Sequence, residues 1–350
     1  MDAAAESAWA NPSSTHAAGR EAKRLLEEAR ERIAAVLGSA PSDLVLTGGG
    51  TEACNLGVRG VARGRRRIVT TKVEHPAVAR TVAQLQSEGS EVVRLDVPRG
   101  TPPEPDALRE QVDSTTAVAV QWINHETGTR FPIDAYASVC AEAGAALFVD
   151  ATQALGKLPI DVGALGADAL AIAAHKVGGP PSAGACWLRR GLDVEPVLAG
   201  GSQERGRRPG TPDTLSMVGF GAAAGLVNER IAAQPSIGRH RDRIEASLVE
   251  LGATSNAEGP RAATVTNLSF RGWEGALLAA AMDLEGVCLS TGAACSSGLQ
   301  APSAVLLAMY PDEQWRAGSA LRISLGMETS GEEINATIAA FRRVLARTSH

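Results

Sequence analysis

Lysine is scarce in this chain: Lys23, Lys72, Lys157 and Lys176 stand against thirty arginines. Chemistry that needs an amine therefore has few candidates. Long apolar runs are missing too, since no stretch approaches the about 18 uninterrupted residues of a membrane-spanning helix. The first residues, MDAAAESAWANPSS, carry no basic segment of the kind that opens a secretory signal. Positive charge is not in excess: the formal net charge is −5, which argues against a nucleic-acid-binding surface. The five cysteines (Cys54, Cys140, Cys186, Cys288, Cys295) are odd in number and include no C-x-x-C pair. That pattern suits neither a disulfide framework nor a zinc site. The expectation is a reduced, cytoplasmic protein with no membrane segment, no nucleic acid and no metal.

What is present suits an enzyme-sized globular protein. Its 350 residues allow one large and one smaller domain, and 44% hydrophobic with 21% charged residues is ordinary for a soluble chain. From Ala17 to Leu37, Leu25, Leu26, Ala29, Ile33, Val36 and Leu37 share one helical face, with Glu and Arg on the other. Gly38 and Pro41 end that helix. Short apolar runs then alternate with helical stretches: LVLT (44–47), RIVTT (67–71), EVVRL (91–95), AVAVQWI (117–123), AALFV (145–149), ALAIA (169–173) and ACWL (185–188). This alternation predicts an α/β fold around a mainly parallel sheet. After about residue 230 a helix, ATVTNLSF (263–270) and another helix (273–284) read as α+β. We therefore expect a large domain over 15–228 and a small one over 229–350, joined by 1–14.

In open α/β sheets, ligands bind beyond the carboxyl ends of the strands. Those ends deliver GGGTE after LVLT, KVEH with His75 after RIVTT, and NHETG with Asn124 after AVAVQWI. DATQ, with Asp150 and Gln153, follows AALFV, and AHK, ending in Lys176, follows ALAIA. Each residue alone has an ordinary use: an Asp caps helices, an Asn makes turns, a His packs. Together they supply an anion loop, an aromatic base, an amide, a carboxylate and an amine at one sheet edge.

GGGTEA (48–53) also fits a dinucleotide fingerprint, with Glu74 as the ribose acid. Both readings share a phosphate-type anion at a helix N-terminus, with the Thr51 hydroxyl added. Pyridoxal 5'-phosphate makes demands that the other strand ends meet: a lysine for its Schiff base and a carboxylate to keep the pyridine nitrogen protonated. Lys176, followed by the glycines of VGGPPSAG, is the best candidate of the four lysines.

These segments resemble, in one order along nearly the whole chain, the pyridoxal-phosphate-dependent cysteine desulfurases of the class V aminotransferases. The matching motifs are NPSSTHAAGREAKRLLEEAR, TGGGTEACN, VEHPAV, NHETGT, VDATQALGKLPID, AHKVGGP, GGSQERGRRPGT, STGAACSSG and LRISLG. The resemblance implies fold type I, a seven-stranded, mainly parallel sheet with helices on both faces and a smaller α+β domain. It implies that Lys176 holds the cofactor and shuttles protons, and that His75 stacks on the ring. Asp150 would pair with the pyridine nitrogen, and Asn124 and Gln153 would bond the phenolic oxygen. Gly50, Thr51 and His175 would hold the phosphate, with Thr211 from the other subunit of a homodimer. Arg322 would clamp the carboxylate of L-cysteine, which Asn124 also helps to bind.

Cys295, in the small-residue run STGAACSSG (290–298), would take the substrate sulfur as a persulfide and pass it to an acceptor, a scaffold or sulfur-carrier protein. Cys288, in GVCLS, is expected in the core. The chain departs from the family pattern at Ala173 and Ala293, where serine is usual, at His125, where asparagine is usual, and in its short lead before Asn11. A related lyase acting on selenocysteine or another β-substituted amino acid, or an inactive homologue acting as a binding protein, stays open at this point.

Overall fold

The structure is a computed structural model that describes residues 1–292 and 302–347. Its larger sheet has seven strands: β1 (Leu44–Thr47), β2 (Arg67–Thr71), β3 (Glu91–Leu95), β4 (Thr116–Gln121), β5 (Ala146–Asp150), β6 (Ala169–Ala173) and β7 (Gly184–Leu188). They lie in the order β1-β7-β6-β5-β4-β2-β3. The pairs β2–β3, β2–β4, β4–β5 and β5–β6 are parallel, whereas β7 runs antiparallel to both β1 and β6. Only β7 is reversed. The carboxyl ends of β1, β2, β4, β5 and β6 therefore share one edge. Strands β1, β4, β5, β6 and β7 are buried along their whole lengths, as expected when helices cover both faces of a parallel sheet. The observed strands match the apolar runs to within two residues at either end.

Local chemistry sets the helix ends. The helix Ala17–Ala35 starts where the His16 ring accepts from the Gly19 amide, and Gly38, at φ 63°, lies just beyond its last turn. Gly57 of the helix Gly50–Ala62 meets the Phe148 ring of β5 so closely that an added Cβ would stand 2.4 Å from it. A glycine there lets the helix pack directly on the sheet.

The chain divides into two compact units. The first comprises 1–95, 104–122 and 132–231, and the second 96–103, 123–131 and 232–350. The second unit has a three-stranded antiparallel sheet, in the order β10-β9-β8, from β8 (Ala253–Ser255), β9 (Val265–Phe270) and β10 (Ala320–Ser324). Its core gathers Ile244, Leu248, Leu268, Leu278, Leu321 and Phe341, with the Phe270 and Phe341 rings stacked at 5.6 Å.

Three expectations need correction. Residues 1–14 belong with the first unit, not the small domain: Ala4 is buried, and the Met1 sulfur lies against Gly219 of the helix Thr214–Ala224. Residues 123–131 join the second unit because their backbone bonds to it, Arg130 N–H to the Pro260 carbonyl and Ala262 N–H to the Gly128 carbonyl. Cys288 is exposed rather than core, with its thiol 3.6 Å from Asp283, because the segment after the helix Gly275–Leu284 forms no internal strand.

Candidate active site

The turn after β1 is built for close approach. Gly49, at φ 135° and ψ 177°, occupies a region open only to glycine. The Gly48 amide donates to Glu52 Oε2 at 2.6 Å, and Arg208 Nε holds Glu52 Oε1 at 2.9 Å. The Ala53 amide reaches back to the Gly49 carbonyl, so the amides of Gly50, Thr51 and Glu52 form the first turn of the helix, which has no intrahelical acceptor for them. A Cβ at Gly50 would stand 3.1 Å from both Ala173 and Thr152, and one at Gly184 of β7 would stand 2.5 Å from the Gly49 backbone. Small residues on three elements thus open a cradle suited to a phosphate. Thr51 adds an exposed hydroxyl in that first turn.

The next strand ends carry the rest. His75 caps the helix Pro76–Ser87 and its Nδ1 accepts from the Ala77 amide at 3.1 Å. Burial pushes its pKa below the usual value, Asp150 opposes that and Lys176 adds to it. Burial thus favours the neutral ring, and Nδ1 serves as an acceptor. Asp150 ends β5, only 4% exposed, with Oδ1 accepting from the Thr152 amide (3.0 Å) and hydroxyl (2.7 Å). Gln153 Oε1 accepts from Lys157 Nζ at 2.5 Å, which leaves its amide NH2 as the group to offer a ligand. His175 and Lys176 are exposed on the short turn Ala174–Val177 after β6. Burial, Lys176 and His75 together lower the His175 pKa. Among the other lysines, Lys23 is exposed on the helix Ala17–Ala35, Lys72 is exposed directly after β2, and Lys157 donates to Gln153 Oε1.

In the second unit, Asn124 Oδ1 accepts from the Glu126 amide, the Thr127 amide and the Thr127 hydroxyl. Arg322, on β10, donates through Nη1 to the His125 carbonyl at 2.9 Å and through Nη2 to Ser290 Oγ at 3.3 Å. Its buried Nε has no hydrogen-bond partner, and it makes no ion pair among the described residues. A guanidinium held this way retains donors for a carboxylate. Thr211 is exposed between Gly210, whose amide donates to Gln203 Oε1, and Pro212. Cys295 lies outside the described residues.

Several features escaped the sequence. Arg30, assigned to a solvated helix face, is 5% exposed and bridges both oxygens of Glu204, whose Oε2 also accepts from the Leu46 amide. Two partners 174 positions apart leave no local signal. Glu74, the acid of the dinucleotide reading, is turned inward: it is 6% exposed, its Oε1 accepts from Thr71 Oγ1 at 2.6 Å, and burial pushes its pKa well up. It is not presented to a ribose. Burial also raises the thiols of Cys54, beside Asp150, and of Cys140 and Cys186, the last two to about 12, so none of these three is a ready nucleophile.

The residues present fit pyridoxal phosphate: an amide cradle for its phosphate, a buried carboxylate for its ring nitrogen, an imidazole and a lysine. The class defined by the fold is an α/β protein whose mainly parallel sheet gathers these groups at its carboxyl edge. More particularly, the chain belongs to the aminotransferase class-V family, whose pattern it matches over residues 2–337. It is 41% identical over 361 residues to an IscS-like cysteine desulfurase of Mycobacterium tuberculosis, covering 99% of this chain and 92% of that relative. A cysteine desulfurase of Bradyrhizobium diazoefficiens is 39% identical over 97% of this chain and 88% of its own length. Among solved structures, a NifS-like protein superposes with a TM-score of 0.91 at 29% identity, covering 99% of this chain and 94% of its own.

Proposed function

We propose that the protein is a pyridoxal-phosphate-dependent cysteine desulfurase that converts L-cysteine to L-alanine and hands the sulfur to an acceptor protein. The observation that carries this reading is the convergence of the amide cradle, His75, Asp150, Gln153 and Lys176 at the carboxyl edge of one sheet. When bound, pyridoxal phosphate supplies an electron sink for the bonds around the substrate Cα.

The residues divide the remaining work. The amides of Gly50 and Thr51, the Thr51 hydroxyl and His175 hold the phosphate, and Thr211 of a second copy completes the cup in a homodimer. Asp150, fixed by Thr152, would accept the pyridinium N–H, and the His75 imidazole would stack on the cofactor ring. Asn124 and Gln153 donate to the phenolic oxygen through their NH2 groups, since their carbonyl oxygens are already engaged. Arg322 binds the substrate carboxylate. Lys176 would take the proton from Cα and return one there before alanine leaves. Cys295 as thiolate attacks the substrate sulfur, the Cβ–S bond breaks, the sulfur stays on Cys295 as a persulfide, and Cβ gains a proton before alanine leaves. Among the described residues no helix is long and apolar enough to cross a membrane, and no His/Cys/Asp/Glu cluster could hold a metal ion.

The test is an absorption spectrum of the purified protein with pyridoxal phosphate, followed by L-cysteine with assays for alanine and sulfide. The expected result is a cofactor band that responds to cysteine and, with a dithiol reductant added to reduce the persulfide, alanine and sulfide released in equal amounts. A protein that binds no cofactor after reconstitution, or that releases alanine unchanged after Cys295→Ala, would sink the assignment.

A further inference from the structure

Gly292 and Ser303 both lie against a single buried carboxyl group. Glu126 is 2% exposed, and its Oε2 accepts from Ser303 Oγ at 2.5 Å. Ser303 Oγ also accepts from the Leu306 amide as the cap of the helix Ala304–Met309, so the same hydroxyl joins the helix start to Glu126. On the other side, a Cβ at Gly292 would stand 2.9 Å from Glu126 Oε2 and 3.0 Å from Ser303 Cβ. Gly292 thus packs closely on both Glu126 and Ser303, which are bonded to each other, and a side chain at 292 would not fit there. Residues 293–301, which include Cys295, lie between Gly292 and Ser303 in the chain and outside the described residues.

Glu126 is itself rigidly placed. Its amide donates to Asn124 Oδ1, and its carbonyl accepts from Asn267 Nδ2 at 3.1 Å. His125 Nε2 lies 3.7 Å from Glu126 Oε1, and the His125 carbonyl takes Arg322 Nη1. Arg322 in turn pairs with Ser290 through the backbone in both directions. One turn, 124–127, therefore fixes the amide assigned to the cofactor, the arginine assigned to the substrate, and both stems of the cysteine segment.

We infer that Glu126 is a positioning residue for sulfur transfer: by clasping Gly292 and Ser303 it fixes the points from which the segment bearing Cys295 departs and returns. This rests on the desulfurase reading above. The clasp acts after substrate has bound, so its loss separates sulfur transfer from cysteine binding. A carboxyl and an amide both present an oxygen to Ser303 Oγ, so Glu126→Gln keeps the clasp and Glu126→Ala removes it.

The experiment uses the holoenzyme and its Glu126→Ala, Glu126→Gln, Ser303→Ala and Glu126→Ala/Ser303→Ala variants. Three quantities are read: cofactor content, the KM for L-cysteine, and the single-turnover rate at which Cys295 gains sulfur, followed by mass spectrometry. The expected result is a fall of about 10- to 100-fold in that rate for Glu126→Ala, the scale of a small misplacement of a reacting group, with cofactor content and KM unchanged. Glu126→Gln stays near the wild-type rate, and the double variant loses no more than Glu126→Ala alone. Wild-type sulfur transfer in Glu126→Ala, or a parallel loss of cofactor and cysteine binding in every variant, overturns the inference. If Glu126→Ala does not fold, Ser303→Ala decides, since it removes the same bond from the other side and must slow the same step. A wild-type enzyme that puts no sulfur on Cys295 instead overturns the desulfurase reading itself.

Discussion

The two units use buried polarity in opposite ways. In the first, the sheet interior is almost wholly apolar: Val45, Ala119, Phe148, Ala169 and Ala171 share one buried cluster. Its functional polar groups stand where strands stop. In the second, polar side chains run through the middle. Asn256 donates to Asn267 Oδ1 and Ser269 Oγ, both at 2.7 Å, and Arg316 Nη1 donates to Asn256 Oδ1 at 3.1 Å. Asn267 then reaches the Glu126 carbonyl. A parallel sheet satisfies its own backbone and needs no polar core, so its chemistry moves to the edge. An irregular turn such as 124–129 has backbone groups that no ladder satisfies, so side chains must satisfy them.

The contrast can be broken in order of size. Lys176→Ala removes the amine at the sheet edge, and we expect desulfurase turnover to drop by about 10²- to 10⁴-fold, the range for losing a general acid–base. Melting temperature stays near wild type because Lys176 is exposed, and paired activity and thermal-unfolding measurements check this. Arg30→Ala tests the exception in the first unit, its buried ion pair, whose side chains are 7% and 5% exposed. Leaving Glu204 buried and unpaired should cost about 3–5 kcal/mol in denaturant unfolding. An effect no larger than that of Arg24→Ala, at an exposed pair, would contradict the buried geometry.

Asn267→Ala probes the polar interior of the second unit. It removes one of the two acceptors of Asn256 Nδ2 and the side-chain donor to the Glu126 carbonyl, and about 1–3 kcal/mol of stability should go with them. A matching substitution of a core aliphatic by another of equal volume in the first unit should cost less. The smallest effect expected is a pH dependence. Burial raises the Glu74 pKa well above its unfolded value. Between those two values the folded state keeps a proton that the unfolded chain has released, so stability falls as pH rises through that window. Glu74→Gln removes this dependence. Its melting temperature relative to wild type should therefore be higher at about pH 8 than at about pH 5, and a constant difference would refute the burial argument.

Much of the site was legible because strand–turn–helix order is a local property. An apolar run followed by glycines, or by a single His, Asp or Lys, says which residues emerge at a strand end, and the parallel sheet aligns those ends. Cys288 was misjudged because its neighbours in GVCLS read as a strand that the chain does not form. Arg30 was misjudged because helical periodicity assigns a face without knowing that Glu204 will arrive there. The Glu126 clasp was invisible for the same reason: its partner lies 177 positions away, and no spacing rule spans that distance.

The sequence alone determined the alternation of strands and helices, the reversal of character after about residue 230, and the residue types that reach the sheet edge, because short-range periodicity and turn chemistry set each of these. Only the tertiary structure decided which polar groups are buried and with whom: Arg30 with Glu204, Glu74 with Thr71, Glu126 with Ser303. Desolvation penalises any buried charge or donor left unpaired, and that penalty is met by partners that distant parts of the chain bring together only when it folds.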